Sequence, residues 1–267
     1  MSFIHDSGEA VSSRTGMIET LEEARERLRP YGQRTASLKG VMFEAPSRPF
    51  GAETPWDYMK RARNLVPTAA RVIDMGTGDG ERYASICKDF PGYAVATEEW
   101  DTSASIAMSL FRRSCISLVR CRSHLLPFAD TSFDLVLNRH EEFTPREVAR
   151  VLRPSGIFLT EQWGTSWEEM RRFFPRIPSG NDLFQDYVRG LGEAGLIVSD
   201  ARRAHTFRVY SDVGDIVTAV ALDGNLIPDF DPLGVDLESI LDMERELSTP
   251  EGLRLSEGLF IIESTKA

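Results

Sequence analysis

The stretch Val72–Tyr83, VIDMGTGDGERY, limits the fold more than any other part of this chain. Val72, Ile73 and Met75 surround one acidic residue, Asp74, as in a short buried strand. Gly76, Gly78 and Gly80 then mark a turn, and Glu81 opens a run that reads as a helix. Glycines at such a turn remove side chains where the backbone bends sharply and where a ligand approaches closely. The helix beyond aims its amide N–H groups and positive dipole end at that ligand. The dinucleotide fingerprint is G-x-G-x-x-G, whereas here the third glycine comes one residue early. Glu81 at the helix mouth repels a pyrophosphate and tolerates a cation. A glycine cluster alone is also what a plain loop looks like, so the rest of the chain must decide.

From Arg71 onward the chain alternates strand and helix. The expected strands are 71–75, 93–97, 116–120, 133–138, 157–162, 196–201 and 259–264. Expected helices are 81–90, 102–112, 145–152, about 166–174 and 181–194. Such alternation implies a doubly wound α/β sheet, mostly parallel, covered by helices on both faces. Ligands of such sheets bind outside the carboxyl ends of the strands. Before the sheet, Thr20 and Glu23 have capping-box spacing, and Pro30 is expected to end that helix. Residues 38–56 read as a loop, and Thr54-Pro55 as the start of another helix. The chain thus divides into an N-terminal helical and loop lid (1–64), a ligand-binding core (65–205), a cap (206–258) and a last core strand (259–267). More than 50 residues between two sheet strands is too long for a bare connection. The cap is expected to hold helices at 212–222 and 236–247 and to be mobile over the site.

Glu98 lies 22 residues after Gly76, near the offset at which an acidic side chain accepts from ribose hydroxyls. The alternative is a solvated loop acid. Further on come Leu126-Pro127-Phe128 and Ser132-Phe133-Asp134-Leu135-Val136. Together with the glycine turn and Glu98, these motifs resemble those of the class I S-adenosylmethionine-dependent methyltransferases over roughly residues 65–165. The resemblance implies a Rossmann-like seven-stranded sheet with the last strand antiparallel. It implies S-adenosylmethionine as cofactor and S-adenosylhomocysteine as product. It also implies a cofactor site drawn from Asp74, Gly76, Thr77, Gly78, Gly80, Glu98, Glu99, Trp100 and Asn138. The family often places an acid five positions before the Pro of its LPF motif, to accept from the adenine amino group. Here that position is Arg122, which leaves Ser123, a backbone carbonyl or His124 for the adenine.

The fourth strand ends in Asn138-Arg139-His140-Glu141-Glu142. An unperturbed histidine titrates near 6.5, so His140 can take a proton from an acceptor or position it, with Glu141 orienting it. The plain alternative is that His140 caps the helix at Thr144-Pro145. Gln162 and Trp163, at the end of the fifth strand, are candidates for the acceptor pocket or for strand-end packing. Trp56, Met59, Trp167, Phe173, Phe174 and Phe230 are candidates to line it with apolar surface.

The net charge of −10 disfavours polyanionic partners, so nucleic acid is not expected. There is no apolar run of membrane-spanning length, no basic-then-apolar leader and no metal-ligand spacing. Three cysteines without a CxxC pair read as reduced thiols in a cytoplasmic protein. The expected function is methyl transfer to a small molecule, such as one of specialised metabolism. The alternatives are an RNA or protein methyltransferase, or a non-catalytic cofactor-binding protein of the same fold. The sequence carries no signal for oligomeric state.

Overall fold

The computed structural model describes residues 19–38, 46–178, 182–223 and 226–267. Its centre is a parallel sheet of β2 (Arg71–Met75), β3 (Tyr93–Glu98), β4 (Ile116–Arg120), β5 (Phe133–Arg139) and β6 (Leu152–Trp163). Two long strands extend it, β7 (Leu196–Tyr210) and β9 (Gly252–Lys266). Short β1 (Ser47–Phe50) and β8 (Ser248–Thr249) complete it. The order is β1-β7-β9-β6-β5-β2-β3-β4, with β8 paired to β9. β9 runs antiparallel to both β6 and β7, as the resemblance implies for the last strand. Two strands are additional to the seven expected. β1 lies where a loop was expected, on the free edge of β7.

Strand order reverses at β2, which has β3 on one side and β5 on the other. Their carboxyl ends frame the crevice in which doubly wound sheets bind ligands. Two apolar layers cover the sheet. Val72, Ala94, Leu135, Leu137, Leu159 and Ile261 face α2 (Tyr58–Leu65), α3 (Glu81–Ile86) and α4 (Asp101–Phe111). Ile73, Val95, Val136, Phe158, Phe260 and Ile262 face α5 (Pro145–Val151) and α6 (Leu183–Glu193). These sets alternate along each strand, the period-2 pattern that a sheet buried on both faces requires.

The family-like motifs have structural duties in this frame. The Asp134 carboxylate accepts from the Ala70 and Arg71 amides at 3.0 and 2.8 Å, pinning the start of β2. Arg153 pairs with it at 2.9 Å. Leu126 is buried, and Phe128 meets Phe133 edge to face.

β6 leaves β9 at Trp163, opposite Leu259, but β7 continues along β9 to the pair Tyr210 and Leu253. This ribbon, flanked near its tip by β1 and β8, projects about 20 Å beyond the carboxyl edge, at ~3.3 Å per residue. It carries a third apolar core, formed by α7 (Val213–Asp223), α8 (Leu237–Leu247), the segment around Met170 and Phe174, and α1 (Leu21–Leu38). The N-terminal helix therefore belongs with the cap. The Thr20 and Glu23 capping box forms, but Pro30 lies inside α1 instead of ending it. Tyr31 follows directly, packs on the cap core and donates to Asp212 at 2.5 Å, which holds the next turn in place. Trp167, Phe173, Phe174 and Phe230 belong to this core, Met59 and Trp56 pack in the layer over α2, and of the expected pocket aromatics Trp163 stacks on His140 while Trp56 reaches the neighbouring Glu161.

Candidate active site

Each glycine of the turn between β2 and α3 has a positive φ, between +62° and +83°. A Cβ on Gly76 would meet the Glu141 side chain at 2.3 Å, and one on Gly80 would meet the Phe111 ring at 2.5 Å. The close approach at these two positions is therefore made by the protein's own side chains, a correction to the ligand-approach reading. The turn amides are also used internally. Thr77 N donates to Thr97 O at 2.8 Å, Gly80 N to Thr77 O at 3.1 Å, and Gly78 N to the Glu98 carboxylate at 2.8 Å.

Glu98 is 5% exposed, which excludes a solvated loop acid. Its second oxygen accepts from Trp100 N at 2.8 Å. A carboxylate offers about four lone-pair sites, so two remain for hydroxyl donors beside the turn. Trp100 is 60% exposed, a large ring left open at the mouth. Glu99 is paired with Arg122 at 2.9 Å, so the basic residue at the usual acid position brings its own carboxylate. Ser123 is buried against the Glu141 carboxyl, and His124 is exposed.

Electrostatically the crevice is negative. Burial pushes the Asp74 carboxyl up to about 7, against the help of the Thr77 hydroxyl, and Glu98 adds to the rise. Burial likewise raises Glu141 above the carboxylate range, with Glu98, Glu99 and Glu142 adding to it. Carboxyls held above their usual values are groups that a nearby cation would stabilise. A sulfonium with an α-ammonium group and a ribose supplies that charge and those hydroxyls, so the residues present fit S-adenosylmethionine.

On the β5 and β6 side, His140 has φ +57° and its side chain is 90% buried, at 10% exposure. Its ring stacks on Trp163 with centroids 4.3 Å apart and does not cap α5. Neither ring nitrogen has a hydrogen-bond partner; Nε2 lies 3.8 Å from Glu161 Oε1, beyond bonding distance. Burial, with Arg139 and Arg82 nearby, pushes its pKa down to about 2, so the imidazole is neutral at physiological pH.

The expectation for Asn138 and Gln162 is corrected. Asn138 is fully buried, and its carbonyl oxygen accepts from Thr160 Oγ1 and Gln162 Nε2. Gln162 also donates to Glu141 O at 2.8 Å, so it ties β6 to the loop after β5 instead of facing an acceptor.

Sequence reasoning missed Glu161 and Tyr58, and it read Trp56 only as apolar lining, without its hydrogen bond. The Glu161 carboxylate accepts from Arg139 Nε at 2.8 Å and from Trp56 Nε1 at 2.7 Å. Tyr58, 4% exposed, is raised well above 10 by burial and by the charges of Asp74 and Glu161. The signal was available in alternation: Glu161 is two residues past Leu159, so it shares the α2 face. A buried acid there requires partners from that side.

Residues 73–160 match a methyltransferase-domain family. A protein of Encephalitozoon cuniculi named as a candidate methyltransferase is 29% identical over 159 residues, spanning 55% of this chain and 70% of its own. The ubiquinone/menaquinone biosynthesis C-methyltransferase UbiE of Cupriavidus metallidurans is 25% identical over 185 residues, spanning 62% and 72%. A solved structure of a functionally unknown protein from Deinococcus radiodurans R1 shares the fold with a TM-score of 0.62 at 13% identity, over 90% of this chain and all of the other. The glycine turn, the acid that ends β3, the negative crevice at the switch point and the family match converge. The chain carries a methyltransferase domain over residues 73–160, and the site at its switch point is that of an S-adenosylmethionine-dependent methyltransferase.

Proposed function

We propose that the chain methylates a small molecule held against His140 and Trp163, in a reducing, cytoplasmic setting. The observation that carries this reading is the His140 ring: buried, stacked on Trp163, and bonded by the fold at neither nitrogen. A neutral imidazole in that state offers one donor and one acceptor to a bound molecule. Bound cofactor supplies a methyl group already activated on sulfonium. The protein's work is then alignment, which can lower a barrier by about 7–11 kcal/mol in the best intramolecular cases.

Asp74, Thr77 and Glu98 hold the cofactor end, and His140 and Trp163 orient the acceptor. With a pKa near 2, His140 positions the acceptor and does not remove its proton. Glu141, raised by burial and placed against Gly76, is the better base where the acceptor carries a proton to lose. The cap projecting over this edge and the acidic surface favour an enclosed small acceptor over RNA or a protein. Free Cys87, Cys115 and Cys121 support the reducing setting.

The relative named for ubiquinone/menaquinone C-methylation favours a second, narrower reading. In it the acceptor is an electron-rich ring methylated at carbon, with its face on Trp163. The test is methyl transfer from labelled cofactor into a panel of phenols, hydroxyquinols, amines and thiols. Label in a small product, lost in Trp163→Ala while cofactor affinity holds, supports the reading. Label only in added RNA or protein contradicts it.

A further inference from the structure

Two opposite charges stand side by side at the end of the crevice without pairing. Asp74 is opposite Leu137 in the β2–β5 register, so Arg139 lies two residues further along the neighbouring strand. Both share the α2 face of the sheet, Asp74 with Val72 and Arg139 with Leu135 and Leu137. Strand spacing and rise set their Cα atoms about 8 Å apart. The Arg139 charge favours the ionised form of Asp74, yet the guanidinium bonds elsewhere.

Its partner is Glu161, directly opposite on β6. Arg139 donates to it through Nε at 2.8 Å, and Trp56 Nε1 holds the same carboxylate at 2.7 Å. Among the described residues, the Nη groups of Arg139 make no hydrogen bond. The Arg139 side chain is 27% exposed, and both Asp74 and His140 feel its charge, which places it at the open end of the cofactor crevice. Among the described residues, Asp74, Glu98, Glu141 and Glu161 gather around this space, against Arg139 and, at the exposed start of α3, Arg82. That excess of acid suits a ligand of net positive charge. S-adenosylmethionine also carries one anionic group, an α-carboxylate on the same carbon as its α-ammonium. With the ammonium on Asp74, that carboxylate comes to lie in an acidic crevice and needs a cation beside it.

We propose that Arg139 binds the cofactor's α-carboxylate through its Nη groups, so that Asp74 and Arg139 together grip the amino-acid end. The guanidinium presents five donors in one plane, so one edge serves Glu161 and another the ligand. This role rests on the cofactor assignment, whatever the acceptor is. The test is calorimetric titration of S-adenosylmethionine, and of its decarboxylated analogue, into the full chain. The analogue keeps the sulfonium, the ribose and the amine.

Charge alone favours the analogue, which brings one more net positive charge into a negative crevice. S-adenosylmethionine is nevertheless expected to bind tighter by about tenfold or more. Arg139→Gln removes or reverses that preference, whereas Glu98→Ala weakens both ligands alike and keeps it. Should Arg139→Gln not fold, Arg139→Lys serves instead. A single ammonium keeps the charge beside Glu161 but cannot also fork onto a second carboxylate, so the preference must shrink by about threefold or more. Equal affinity for the two ligands, tighter binding of the analogue, or a preference that survives Arg139→Gln or its substitute overturns the proposal, while the effect of Glu98→Ala still marks the cofactor site. Failure of both ligands to bind, or indifference to Glu98→Ala, overturns the cofactor assignment and the proposal with it.

Discussion

His140 sits where two requirements conflict. A histidine at the carboxyl end of β5 suggests proton removal, but desolvation has pushed its pKa down to about 2. A base that weak contributes little between pH 5 and 8, while a neutral donor and acceptor is useful for orientation. His140→Ala is therefore expected to lower turnover about 10²-fold and His140→Gln by less than about tenfold, both with unchanged cofactor affinity. Steady-state kinetics with calorimetry checks this. A limb near pH 6.5 in the kcat profile that vanishes in His140→Gln would contradict it.

Asp74 makes the converse prediction. Its folded-state pKa, about 7, is above its unfolded value, so through this group the free protein loses stability as pH rises from about 4 to 7. A cationic ligand favours the ionised form, so binding releases a proton and tightens as pH rises towards 7, then levels off. Calorimetry at pH 6.5 in buffers of different ionisation enthalpy should show that proton, and Asp74→Asn should abolish it.

At the scale of elements, glycines of the same turn serve packing as well as backbone conformation. Gly76→Ala and Gly80→Ala each place a Cβ at positive φ against Glu141 or Phe111. Each should cost about 1–3 kcal/mol in denaturant unfolding. Gly192, inside α6 with open space around it, is the control, and Gly192→Ala should gain up to about 1 kcal/mol.

Much of this level was legible in the sequence. The strand–helix alternation announces β2 to β6, because strands buried on both faces are short apolar runs between turns. The ends of β7 and β9 were not, since their outer halves pair only with each other and with the short strands β1 and β8, and Arg202, Arg203, His205 and Arg208 interrupt the apolar pattern. The cofactor half of the site was legible because glycine spacing and Glu98 are local signals. The acceptor half was not: whether Gln162 faces a ligand or Asn138 depends on a cross-strand register that one strand's sequence does not contain.

For the whole molecule, the cap is a folded unit on a continuous ribbon. Val213, Ile216, Val220, Ile240 and Met243 are each 1% exposed, and Leu28 of α1 is fully buried with them. A unit with its own core is expected to move as a body, at its junction with the sheet, instead of ordering from a loop. Amides of α7 and α8 should be protected from hydrogen exchange in the free protein, with ligand-dependent change confined to the ribbon and residues 164–178. Leu28→Ala should destabilise the cap by about 2–5 kcal/mol and expose α1, α7 and α8 together.

The cofactor is expected to lie across the switch point with its reacting end turned towards His140 and Trp163. A crystal structure of the full chain with S-adenosylhomocysteine measures this directly. Ribose hydroxyls are expected on Glu98, the α-ammonium beside Asp74, and the sulfur facing the His140 and Trp163 stack. A ribose away from Glu98, or a sulfur turned towards the Phe184 and Phe260 side of the sheet, would contradict it.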